Sequence, residues 1–144
     1  MKVVKVREAV LDDYKAIAQI SRNDLGYSFE EELVKSRIVS LDKKRECVFV
    51  AEYEKIVIGY VHIEKYETLY SEPLVNVLGL AVDIRNRRKG VGKLLMSSVE
   101  DWAKLVGVVG IRLNSGGSRL DAHAFYRAMG YNLEKEQIRF LKIL

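Results

Sequence analysis

At 144 residues and 49% hydrophobic side chains, the chain has the length and apolar content for one domain with one core, and disorder is excluded as its general state. Its 24 Lys and Arg are interspersed with 20 Asp and Glu, leaving a charge of +4, so charge alone does not imply a nucleic-acid partner. The single cysteine, Cys47, excludes an internal disulfide and suits a reducing compartment. No apolar run reaches membrane-spanning length. The expectation is a soluble, cytoplasmic protein that makes no use of a membrane or a metal.

The N-terminus, Met1 to Arg7, alternates apolar and charged residues. This is the period of a first strand, carrying Val4 and Val6, and not the long apolar stretch of a signal peptide. Leu11-Asp12-Asp13 starts a helix with Asp12 or Asp13 as its cap and Tyr14, Ile17 and Ala18 on the buried stripe. It stops near Gly26. Ser28 followed by Glu31 is a capping-box signature, opening a second helix that turns Leu33, Val34, Ile38 and Leu41 inward. Cys47 to Tyr53 and Ile56 to Tyr66 are β-rich runs joined by the turn Glu54-Lys55, a hairpin. Leu74 to Val82 is nearly all apolar, as in a strand covered on both faces.

Gly90 to Val106 has helical periodicity through Val91, Leu94, Leu95, Ser98, Val99, Trp102, Leu105 and Val106. Val108 to Asn114 reads as the next strand, Arg119 to Met129 as a short helix, and Tyr131 to Leu133 with Gln137 to Ile143 as a last pair of strands. The order is β-α-α-β-β-β-α-β-α-β-β. The unit from Leu74 to Asn114 requires a parallel crossover, while the remaining neighbours are hairpins, so the sheet is mixed.

The chemistry is carried by Arg87-Arg88-Lys89-Gly90-Val91-Gly92, between the fourth strand and the long helix. The first N–H groups of a helix have no internal partner, and its dipole is positive there. Glycines let an anion approach the backbone. The spacing rejects the common phosphate motifs: Gly92-Lys93 is followed by Leu94 and not by Ser or Thr, and Leu95 stands where a dinucleotide fingerprint needs glycine. Arg85, Arg87, Arg88, Lys89 and Lys93 form an electropositive rim around the turn.

Arg-x-x-Gly-x-Gly at such a turn resembles the acyl-CoA pyrophosphate loop of the GCN5-related N-acetyltransferases. The stretch Arg119-Leu120-Asp121-Ala122-His123-Ala124-Phe125-Tyr126-Arg127-Ala128-Met129-Gly130-Tyr131 resembles that family's last helix. The resemblance covers the whole chain. It implies one N-acetyltransferase domain, residues 1–144, of α/β (α+β) class, with a mixed, mostly antiparallel sheet of about seven strands flanked by four helices: the acyl-CoA N-acyltransferase fold. It implies acetyl-CoA as cofactor and an amine of a small molecule or protein as acceptor. Arg87, Arg88, Lys89, Gly90, Val91, Gly92 and Lys93 are then expected to cradle the pyrophosphate. Leu80, Ala81 and Val82 are expected to pair with the pantetheine, beside a bulge near Gly79-Leu80. Tyr126 is expected to protonate the departing thiolate. Asn114 is expected to bond the cofactor, because Arg119 stands where many members have asparagine.

Asp24, Tyr27 and Glu30, in the turn between the first two helices, suit a cationic acceptor. The competing reading of that turn is that its acids complement the second helix's N-terminus. A general base is not legible: Arg112 occupies the place of a glutamate found in some relatives. Glu64 can serve only if it faces the slot, and solvent exposure is its simpler reading. His123 is more simply a surface residue. A non-catalytic acyl-CoA sensor is the rival function, and a nucleic-acid-binding domain is disfavoured for want of interleaved aromatics. A homodimer is left open.

Overall fold

The computed structural model describes residues 3–26 and 29–144. They form two compact units, one ending at Leu113 and the other running from Asn114 to Leu144. The first carries β1 (Lys5–Glu8), α1 (Tyr14–Ile20), α2 (Glu31–Val39), β2 (Glu46–Tyr53), β3 (Ile56–Tyr66), β4 (Leu74–Val82), α3 (Val91–Val106) and β5 (Ile111–Leu113). The second carries α4 (Leu120–Ala128).

The sheet runs in the order β1-β2-β3-β4-β5, antiparallel except for the parallel β4–β5 pair. It is therefore mixed, as the connection lengths require. Its strands number five among the described residues, against about seven expected. Tyr131 to Leu133 and Gln137 to Ile143 form no strand, and residues 132–144 are exposed throughout. Their β-rich composition meets no partner strand, and a strand is stable only through cross-strand pairing and packing.

Side chains alternate across the sheet, and each face has its own helix layer. On one face Ile17 and Ile20 of α1 pack with Val48, Val50, Tyr60 and Ala81, with Val34, Ile38 and Leu41 at the margin. Leu33 is exposed rather than inward. On the other face lies α3, which buries Val91, Leu95, Met96, Val99 and Ala103. Gly59 makes that approach close: a Cβ there would sit 3.1 Å from the Ala81 carbonyl oxygen and from Val91, and 3.2 Å from Leu95. Leu94 and Leu105 lie on the solvent side of α3, because its tightest stripe runs through Met96 and Ala103 instead.

Asp13 fixes the start of α1. Its carboxylate accepts from the Val10 N–H at 2.8 Å and from the Arg7 guanidinium at 2.8 and 3.0 Å. Burial pushes this carboxyl up, but the Arg7 and Val10 hydrogen bonds outweigh it and hold the group below its ordinary range. The other expected cap residue, Ser28, lies outside the described residues, as does Tyr27. Between α1 and Gly26 the chain makes a π-helical turn, Ser21–Leu25.

Candidate active site

The strand-to-helix turn opens α3 without a side-chain cap. Asp83 accepts from the Arg85 N–H at 2.9 Å and opens a short 3-10 turn, Ile84–Asn86. The Arg85 guanidinium also bonds the Asp83 carboxylate and holds its pKa below the ordinary range. Arg88 takes φ +66 and Gly90 φ +73. The left-handed conformation costs a non-glycine residue about 1–2 kcal/mol, so the Arg88 backbone is held against its preference. Gly90 is the N-cap of α3 and no side chain caps the helix. The first intrahelical bond runs from Leu94 N–H to Gly90 C=O at 3.0 Å. The N–H groups of Val91, Gly92 and Lys93 are left facing outward, which is what a phosphate needs. A side chain built on Gly90 would meet nothing within 4 Å, so open space lies beside these donors. Arg87, Arg88, Lys89 and Lys93 are exposed around it. Lys89 lies 5.0 Å over the Tyr53 ring.

Strand β4 changes character at Leu78. Val77 pairs Ile63 while Gly79 pairs His62, so Leu78 is an extra residue, a bulge, one position before the expected place. Up to Val77 the strand is paired on both edges, with β3 and with Ile111, Arg112 and Leu113 of β5. Past it, no strand pairs the second edge among the described residues. Asp83 N–H donates to Ile58 C=O at 2.7 Å. By antiparallel alternation, Ala81 then bonds β3, while Leu80 and Val82 turn their N–H and C=O groups to the open edge. Of the three residues expected to meet the cofactor, two have free backbone.

The acceptor residues are arranged differently from expectation. Asp24 lies on the π-helical turn with its side chain only 7% exposed, and its carboxylate accepts from the Arg87 guanidinium. One expected acceptor residue is thereby joined to one expected phosphate residue. Glu30 is the exposed N-cap residue of α2, with Glu31 and Glu32 in its first turn; the acids there complement that helix's dipole.

Sequence reasoning missed a polar row on the α1 face of the sheet. Glu46, Glu64, Asn76 and Arg112 are successive register partners across β2, β3, β4 and β5. Arg112 donates to Asn76 Oδ1 at 2.6 Å, and Asn76 Nδ2 donates to Glu64 at 2.8 Å. Glu64 is thus half-buried and bonded, not solvent-facing. Arg112 also stacks 4.6 Å over Tyr66. His62, on the same face, is 2.9 Å from Glu46, which Arg37 also holds at 2.8 Å. Burial pushes the Glu46 carboxyl up, and the bonds from His62 and Arg37 more than reverse this.

In the second unit, Tyr126 on α4 stands edge-on to Phe125 at 5.2 Å and to Tyr131 at 6.0 Å. Burial raises its phenol pKa, and the nearby Arg119 charge partly offsets this. The phenol therefore keeps its proton at neutral pH, as a proton donor must. His123 Nε2 donates to the Gly116 carbonyl at 2.8 Å, a local structural bond. Asn114 is exposed, and the Ser115 hydroxyl is buried without a hydrogen-bond partner among the described residues.

The model of the acetyltransferase (GNAT) family matches residues 8–131. The chain belongs to this family. It is an acetyl-CoA-dependent N-acetyltransferase. An uncharacterised N-acetyltransferase of Chlorobaculum tepidum is 33% identical over 91% of the chain and 77% of its own length. Another, of Bacillus subtilis, is 29% identical over 96% of each chain. Among solved structures, an aminoglycoside N-acetyltransferase in complex with CoA superposes with a TM-score of 0.85 at 16% identity, over 99% of this chain and 96% of the other. At that identity the likeness is one of fold.

The residues present fit acetyl-CoA on grounds internal to the acetyltransferase. The uncapped α3 terminus offers donors for phosphate, and the β4 edge offers unpaired peptide groups for amides. When bound, the cofactor supplies the activated acetyl group as a thioester. Among the described residues no His, Cys, Asp or Glu cluster could hold a metal, and no helix is long and apolar enough to cross a membrane.

Proposed function

We propose that residues 1–144 act as one catalytic domain, acetylating a primary amine of a cationic small molecule or protein in the cytoplasm. The observation that supports the reading best is the uncapped start of α3 after Gly90, beside a β4 edge left open from Leu78 onward. In this reading Arg87, Arg88, Lys89, Gly90, Val91, Gly92 and Lys93 hold the pyrophosphate, chiefly through the N–H groups of Val91, Gly92 and Lys93. Leu80 and Val82, with Ala81 between them, bond the pantetheine as a neighbouring strand would. Asn114 adds a cofactor hydrogen bond. The bulge backbone polarises the thioester carbonyl at little reorganisation cost, and binding both substrates together supplies proximity.

Tyr126 gives its proton to the thiolate as the C–S bond breaks. Asp24, Tyr27 and Glu30 form the acceptor wall. The chemistry as proposed needs no second copy of the chain.

The experiment is a panel of amines and peptide N-termini with acetyl-CoA, reading thiol release and the acetylated product. Tyr126→Phe is expected to lower turnover about 10²-fold with little change in acetyl-CoA affinity, since the phenol acts mainly as the thiolate departs. Unaltered turnover at saturating substrates removes Tyr126 from the mechanism.

A further inference from the structure

An amine acceptor is an ammonium ion at neutral pH and must lose a proton before it can attack. Such a base must lie on the sheet near the point where β4 leaves β5, carry a free lone pair, and be held in place. We infer that His62 is this base, oriented by Glu46; the inference rests on the amine-acetylation reading above.

Four observations carry it. His62 is the register partner of Gly79, immediately beside the Leu78 bulge. Gly79 leaves room there: a Cβ built on it would find only the Tyr60 hydroxyl, at 3.8 Å. The His62 side chain is 23% exposed, so it is reachable from solvent yet largely fixed. Its Nε2 lies 2.9 Å from Glu46 Oε1. A carboxylate only accepts, so Nε2 bears the hydrogen and Nδ1 keeps the lone pair. A base oriented by a carboxylate that is itself anchored is the geometry general-base catalysis uses, and here the anchor is Arg37.

The other groups around the ring are consistent with this role. Tyr60 and Glu64 flank His62 on its own strand and face. The Tyr60 hydroxyl is 2.6 Å from Ser21, whose own hydrogen goes to the Ile17 carbonyl, so Tyr60 donates away from the ring. Glu46 comes from β2 and Arg37 reaches it from α2. From β4 come Gly79 and Asn76, neither of which titrates. Glu64 stands farther from the bulge, turned toward Asn76; it adds negative potential that favours an approaching ammonium without being in the better position to take its proton.

The proton balance closes. His62 Nδ1 takes one proton from R–NH3+, leaving R–NH2. The amine lone pair forms the C–N bond to the acetyl carbon, and the C–S bond breaks with its electron pair going to sulfur. Sulfur receives one proton, the nitrogen loses its second, and the imidazolium returns its proton to water. The sum is amide, free thiol and one released proton.

The test measures acceptor kcat/KM against pH at saturating acetyl-CoA for the wild type, His62→Gln, Glu46→Gln and Glu64→Gln, with acetyl-CoA binding followed by the rise in Tm. His62→Gln is expected to lose about 10²-fold at neutral pH and to keep cofactor binding. Its deficit is expected to shrink with amines of lower pKa, which a merely structural defect does not produce. Glu46→Gln is expected to lose a smaller part of the rate and to keep cofactor binding, because the ring keeps its lone pair and loses only the carboxylate that orients it. Retention of rate in His62→Gln, or loss of rate in Glu64→Gln alone, overturns the assignment. A wild type that binds acetyl-CoA but acetylates no amine overturns the acceptor reading itself, a result distinct from any variant's failure.

Discussion

Strand β4 is two strands in one. Its first half, Leu74 to Val77, is hydrogen-bonded on both edges, and Val75 is wholly buried there. Its second half, Leu78 to Val82, has β3 on one edge only among the described residues. The first half behaves as core. The second exposes peptide groups that a folded protein normally pairs or covers. A single extra residue, Leu78, separates the two, so a one-residue bulge is enough to turn a central strand into an open edge.

The largest expected effect lies at the far end of the open half. Gly90→Val forces a β-branched residue to φ +73 and places its side chain beside the free N–H groups. It should erase the acetyl-CoA-induced rise in Tm; a normal rise in this variant breaks the assignment of the open half to the cofactor. Next, Val75→Ala in the closed half is expected to cost about 2 kcal/mol of stability through lost burial and a residual cavity. Acetyl-CoA affinity should be unchanged, as calorimetry on the folded variant can check.

Leu80→Pro sharpens the contrast further. It deletes an N–H that faces the open edge and leaves the β3 ladder intact. Acetyl-CoA affinity should fall about tenfold, the worth of one hydrogen bond of about 1.4 kcal/mol, while Tm without cofactor changes less than for Val75→Ala. Asp24→Asn releases Arg87 and is expected to tighten acetyl-CoA binding a few-fold, as for a pair worth about 0.2–1 kcal/mol. It should raise KM for a cationic amine, and added salt should diminish both effects.

The smallest effect concerns acid. Asp13 and Glu46 have folded pKa values below their ordinary ones. Their contribution is complete above the unfolded carboxyl range of about 4 and is lost as pH falls through the folded values. Asp13→Asn should therefore flatten the acid limb of a Tm-versus-pH curve.

Local signals made much of this legible. The glycine-bearing basic turn, the apolar run of β4 and the period of α3 all lie within about 30 residues, the span of one strand–helix–strand unit, and each agrees with the next. The Glu46–Glu64–Asn76–Arg112 row was not legible, because it exists only through the register of four strands. A lone His62 or Asn76 carries no periodic signal. The expected strands after α4 failed for the opposite reason: Ile138 and Phe140 alternate as in a strand but remain exposed, so composition stood in for pairing that the described residues do not make. Arg87 and Asp24 lie 63 residues apart, and no local motif joins them.

Cys47 bears on how the enzyme can be assayed. It is the chain's one cysteine and is 6% exposed, and burial pushes its thiol pKa up to about 11. Thiolate is the species that attacks disulfide reagents, so the native protein should contribute almost no colour to an assay that counts released CoA thiol. The same residue becomes a reporter when the chain opens. One equivalent of reactive thiol appearing without substrate marks unfolding, so a single colorimetric trace can separate a variant that has lost catalysis from one that has lost its fold.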